Sequence, residues 1–100
     1  MRRGTTPTNT FTVPVDLRTA TVFVDYEQEG KIVLEKTGDD LTITETTVSL
    51  TLSQEDTLLF KPGRVLIQIR YVTAGGAADA SDIIYTTFER IIKDGVIEYV

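Results

Sequence analysis

Asp25 and Glu27 lie two residues apart in the alternating run from Ala20 to Gln28. On an extended strand that spacing sets both carboxylates on one face, the arrangement from which a glycosidase draws its acid and its base. Nothing aromatic or basic is visibly grouped around them, so a solvated strand face is the preferred reading. Asp39-Asp40 and the pair Asp79 and Asp82 offer oxygens to a cation, but neither has the spacing of a calcium-binding loop, and aspartates so placed form turns. Gly75-Gly76 belongs to no phosphate-binding pattern and reads as a hairpin turn. Tyr26, Tyr71, Tyr85 and Tyr99 would make a sugar-stacking platform if they shared a face, although tyrosines on alternating strands more often sit in the core.

The chain has neither histidine nor cysteine. That removes the commonest general base, the Ser-His and Cys-His nucleophile pairs, thiolate metal sites and disulfides. The expectation is a protein with no catalytic, cofactor-binding or metal-binding residues, and with no small-molecule substrate. A net charge of -5 opposes binding to nucleic acid, because neutralising phosphates takes clustered Lys and Arg. Apolar runs of three or four residues are far too short to span a bilayer, so no membrane partner is expected either. Gln68 and Arg70 stand on the polar side of the most apolar run, where they are candidates for pairing with a neighbouring strand or subunit.

The elements that must position these residues are strands. Ten Val, nine Ile and seventeen Thr give thirty-six β-branched residues in one hundred, side chains that suit a pleated surface better than a helix. Residues 1–9 lack apolar periodicity and carry Arg2 and Arg3 with no acid, which reads as an extended, mobile arm whose removal leaves the rest folded. Residues 10–100 read as one domain. Alternation marks strands from Thr10, ending near Pro14, at Ala20 to Gln28, at Lys31 to Glu35, at Leu41 to Thr44 and at Thr47 to Leu52.

Ser53-Gln54-Glu55-Asp56 breaks the two-residue period. A Ser with an acid three positions on, and acids in the first turn, predicts an N-cap and a short helical turn over Ser53 to Leu59, which also accounts for Glu55 and Asp56. The clearest strand follows at Arg64 to Val72, and Gly75-Gly76 turns the chain into a last strand from Ala78. Ile83-Ile84, Phe88 and Ile91-Ile92 fit either one long bulged strand or a strand followed by a helical turn ending at Gly95; the strand is preferred. The predicted fold is all-β: an immunoglobulin-like antiparallel two-sheet sandwich of about seven strands with one short helical turn.

Four segments carry a resemblance when taken in order and spacing: Arg3-Gly4-Thr5-Thr6-Pro7-Thr8, Leu52-Ser53-Gln54-Glu55-Asp56-Thr57 with Phe60, Ile67-Gln68-Ile69-Arg70, and Ala80-Ser81-Asp82-Ile83. Together they resemble the short phage and prophage structural proteins of Gram-positive bacteria, which are similar to the N-terminal domain of upper baseplate proteins in siphophage tails. The resemblance implies a non-enzymatic virion component, associated with the tail or baseplate. It would be made in the bacterial cytoplasm and carried in the virion, docked to other phage structural subunits, or to copies of itself, in a symmetric assembly. With no coiled coil or receptor-binding domain after the sandwich, host recognition is not implied. Arg2, Arg3, Thr5, Thr6, Pro7 and Thr8 are then the candidate assembly arm, with Gln68 and Arg70 a candidate interface. Two other readings stand beside it: a carbohydrate-binding module for the host cell surface, and an intracellular phage factor acting on a host protein.

Overall fold

The computed structural model describes residues 1–100. Alternation becomes strand wherever one side of the pleat can be buried. In β2 (Thr21–Gln28) Val22, Val24, Tyr26 and Gln28 are buried while the residues between them face outward, and in β6 (Gly63–Val72) Val65, Ile67 and Ile69 do the same. The remaining strands are β1 (Thr8–Thr12), β3 (Lys31–Thr37), β4 (Thr42–Ile43), β5 (Thr47–Thr51), β7 (Ala78–Ala80) and β8 (Ile84–Phe88). They form two antiparallel sheets, a three-stranded one ordered β1-β5-β4 and a five-stranded one ordered β3-β2-β6, with β7 and β8 both on the far side of β6. The expected all-β, antiparallel two-sheet sandwich is the fold observed.

The core lies between the sheets. Val48 and Leu50 of β5 oppose the buried rows of β2 and β6, and loop residues Val13, Leu17, Leu41 and Leu52 close the sides. Phe60 sits at one end of this core, stacked on Phe88 with ring centres 4.5 Å apart and meeting Tyr26 edge-on at 6.0 Å. The buried polar side chains of the core are satisfied, as a dry interior requires. The Tyr26 hydroxyl accepts from the Asn9 amide at 2.9 Å, and burial pushes its pKa up to about 12. Gln28 donates to the Lys61 carbonyl at 2.7 Å and accepts the Lys61 N–H at 2.8 Å.

The predicted helical turn is α1 (Gln54–Leu58). Ser53 accepts the Asp56 N–H at 3.0 Å, and the Asp56 carboxylate accepts the Ser53 N–H at 3.0 Å, a complete capping box. Glu29 and Gly30 both take positive φ, 54° and 80°, which is the backbone of a two-residue hairpin loop whose twist matches the strands it joins, β2 and β3.

Two expectations are corrected. Residues 1–9 are not a mobile arm. The terminal amine donates to the Thr87 carbonyl at 2.7 Å, the Glu89 N–H to the Met1 carbonyl at 2.8 Å, and the Arg3 N–H to the Glu89 carbonyl at 3.1 Å, so the leader runs parallel to the chain beyond β8. Further along, the Thr57 hydroxyl donates to the Thr5 carbonyl, the Leu52 N–H donates to the Pro7 carbonyl, and Thr8 already belongs to β1. Nor does one long strand run from Ala78 to Ile92. Ser81, Asp82 and Ile83 span the stretch that only Gln68 and Ile69 span on β6, and the extra residue bulges and separates β7 from β8. Neither strand nor helix is formed after Phe88: a single bridge at Glu89 ends the pairing, and Ile92, Ile97 and Tyr99 are exposed.

Candidate interaction face

Every second residue of β2 and β6 points away from the core, and pairing registers these residues into cross-strand rows on the outer side of the five-stranded sheet. One row reads Thr37, Phe23, Arg70, Ala80 across β3, β2, β6 and β7. The next reads Glu35, Asp25, Gln68. The one after reads Ile32, Glu27, Leu66, Tyr85 across β3, β2, β6 and β8. The Glu29-Gly30 turn sets Ile32 against Glu27, and Glu35 reaches this face because Val33 is an extra residue in β3, where the register against β2 shifts between Tyr26 and Glu27. Ile32 and Tyr85 are each 61% exposed at the two ends of their row, and Ile83 of the bulge is exposed beside them. The Arg64 guanidinium lies 5.3 Å from the centre of the Tyr85 ring.

The acids are on one half of the face, Glu35 on β3 with Asp25 and Glu27 on β2, and the bases are on the other, Arg64 and Arg70 on β6. Asp25 has the most perturbed environment. Loss of water, then the carboxylate of Glu35 beside it, push its pKa up to about 6 against the opposing pull of Arg70. Its Oδ1 is buried and has no hydrogen-bond partner. Two shallow concavities flank it, one of about 200 Å³ walled by Phe23, Glu35, Arg70 and Val72, the other of about 260 Å³ walled by Ile32, Leu66, Gln68 and Ile83.

Asp25 and Glu27 therefore share a face, but the partner set directly against Asp25 is Glu35, a pairing that sequence reasoning missed. No local signal marked it: the two-residue Glu29-Gly30 turn sets Ile32 opposite Glu27, but continued without the bulge at Val33 it would set Leu34 opposite Asp25. Gln68 is a buttress rather than a free contact: its amide donates to the Ser81 carbonyl at 2.9 Å, while Ser81 accepts the Ile69 N–H on its hydroxyl and so bridges the bulge. Arg70 is exposed. Arg2 pairs with Glu89 and donates to the Arg90 carbonyl. Arg3 pairs with Asp94 and donates to the carbonyls of Phe60 at 2.6 Å and Leu58 at 3.2 Å, capping the C-terminal end of α1. The Thr5 hydroxyl donates to the Arg2 carbonyl, and Thr8 bonds Thr51 hydroxyl to hydroxyl at 2.8 Å; Thr6 is exposed and Pro7 half-buried. Thr10 and Ser49 repeat the hydroxyl pair on the outer side of the three-stranded sheet.

The tyrosines are dispersed. Tyr26 is in the core, Tyr85 is on the outer face, Tyr71 follows the core-facing row of β6 and Tyr99 is in the terminal segment. No three acidic, histidine or cysteine side chains are grouped so as to hold a metal ion, and no helix is long and apolar enough to cross a membrane.

Fold and face together define a β-sandwich domain that presents one sheet surface, part apolar and part charged. No family model matches the chain and no curated protein matches it. Among solved structures it is similar to the V domain of amphioxus IgVJ-C2, at 12% identity over 91% of this chain and 97% of that one, with a TM-score of 0.37.

Proposed function

We propose that this chain is a non-enzymatic virion component of a phage or prophage, associated with the tail or baseplate, that works by docking to other structural subunits. The observation that carries the docking part is the outer face of the five-stranded sheet, where Ile32, Tyr85 and Ile83 stand exposed beside Arg70 and Arg64. Apolar groups interleaved with separated charges are what a specific protein interface buries. The phage assignment is supported by the resemblance of the segments from Arg3 to Ile83.

Quantitative mass spectrometry of purified particles, induced from a host that encodes this chain, tests the reading. Copies in a fixed ratio to the major tail proteins are expected; a chain found only in the lysate and never in particles would overturn it.

A further inference from the structure

The rows of the outer face have a symmetry that the fold does not require. In the row Ile32, Glu27, Leu66, Tyr85, the two ends are apolar and equally exposed. In the row Thr37, Phe23, Arg70, Ala80, the two middle positions are an aromatic ring and a guanidinium. Two of the rows thus hold, at positions reflected across the gap between β2 and β6, groups that suit each other, Ile32 with Tyr85 and Phe23 with Arg70, while Glu27 reflects onto Leu66.

We infer that this face is a self-association surface, on which a second copy of this chain sits related by a two-fold axis running along the strands between β2 and β6. The inference deepens the docking function proposed above and rests on it for its biological setting. Such an axis lays β6 of each copy over β2 of the other and β8 over β3. Ile32 then meets Tyr85 of the second copy and Tyr85 meets its Ile32, which buries the exposed apolar ends of the row twice. Arg70 lies over the ring of Phe23 in the other copy with Asp25 diagonal to it, and the acidic half of each face covers the basic half of its mate. An axis across the strands would instead set acids over acids. The tilt of about 30° at which twisted sheets stack face to face is compatible with this arrangement.

A patch four strands wide, at ~4.8 Å per strand, lies at the small end of specific interfaces, below about 1,200 Å² in total. The dimer expected is accordingly weak, with a dissociation constant on the order of micromolar or above.

Because the chain has no cysteine, cross-linking reads the register directly. Within one copy Ile32 and Tyr85 are three strand spacings apart, roughly 14 Å, so like positions of the two copies lie much farther apart than the unlike ones that face each other. The Ile32→Cys and Tyr85→Cys proteins, mixed in equal parts with a short bis-maleimide that spans the ~10 Å between stacked sheets, should give a covalent dimer containing one of each, in large excess over dimers of either alone. Sedimentation velocity of the unmodified protein should show a concentration-dependent dimer, weakened about tenfold or more by Ile32→Asp, which places a charge against an apolar partner. Thr10→Asp, on the outer side of the other sheet, should leave it unchanged. A monomer at every concentration, or cross-linking no greater for the mixture than for the single variants, would overturn the inference. So would equal weakening by Thr10→Asp. Particles that contain the chain while the purified protein stays monomeric would leave the proposed function standing and remove only this self-association, the face then being covered by a different subunit.

Discussion

Asp25 and Glu35 stand directly opposite each other on β2 and β3, two carboxylates in one cross-strand pair on the outer face. Like charges so placed destabilise a sheet, and the rise of Asp25 to about 6, caused first by loss of water and then by Glu35, records that cost. The sign follows from linkage: a carboxyl whose pKa is raised by folding binds its proton more tightly in the folded state. Its contribution is favourable at acid pH and is lost as pH rises from the unfolded value of 3.8 through about 6. Asp25→Asn should therefore stabilise the domain at pH 7.5, by about 1 kcal/mol once solvent screening is allowed for. At pH 4 the gain should vanish, and thermal melts at the two pH values check it.

Arg3 ties three separate parts of the chain together, the carbonyls at the end of α1, Asp94, and the leader itself. Its side chain is only 17% exposed. Charge-assisted hydrogen bonds are worth about 1.5–3 kcal/mol each where the alternative is a buried unpaired carbonyl, so Arg3→Ala should cost on the order of 2–3 kcal/mol in urea unfolding. Deletion of residues 1–9 should cost more, since it also removes part of β1 and the Asn9 donor to Tyr26. A deleted protein as stable as the full chain would show that these contacts contribute nothing.

Ser53 and Asp56 close the capping box, and Lys36 reaches Asp56 at 3.1 Å from β3. Burial by itself would raise Asp56, but the Ser53 N–H and the Lys36 ammonium outweigh it and hold the carboxyl below its usual value. Here the sign is opposite to that of Asp25: the stabilisation is present above the ordinary carboxylate range and fades as pH falls below about 4. Ser53→Ala should cost about 1 kcal/mol at neutral pH. Denaturant midpoints of Asp56→Asn and the unaltered chain should converge as the pH is lowered through and beyond the ordinary carboxylate range.

Phe60 touches both Tyr26 and Phe88 and is fully buried. Phe60→Ala should destabilise by about 3–5 kcal/mol, a large fraction of the stability of a domain this size. Phe60→Leu, which keeps most of the volume, should cost less than half as much by differential scanning calorimetry.

Alternation made β2 and β6 readable because their buried rows are unbroken, Val22-Val24-Tyr26 and Val65-Ile67-Ile69. The helical turn was readable from Ser53 and Asp56 because a capping box is local chemistry. What escaped was set by partners distant in the chain. Nothing near Arg3 announces that its partners are Phe60 and Asp94, and a polar leader reads alike whether free or hydrogen-bonded to another segment. The final strand was overextended because Ile83-Ile84 and Ile91-Ile92 have the composition of strand, while the bulge depends on Gln68 and Ser81 meeting across two strands. The candidate site was half legible. Gln68 and Arg70 could be placed on the polar side of β6, and Ile32 opposite Glu27 follows from the Glu29-Gly30 turn, but the Glu35 partner of Asp25 depends on the bulge at Val33.

The leader and the chain beyond β8 run side by side in the same direction, joined from Met1 to Arg3 by backbone hydrogen bonds and by the ion pairs Arg2–Glu89 and Arg3–Asp94. Tension applied between Met1 and Val100 would pull these two segments past each other in opposite directions, loading all of the rungs at once in shear instead of opening them one after another. The sandwich behind them would carry little strain until the whole set failed together. The domain has the construction of a link that can bear force along its length.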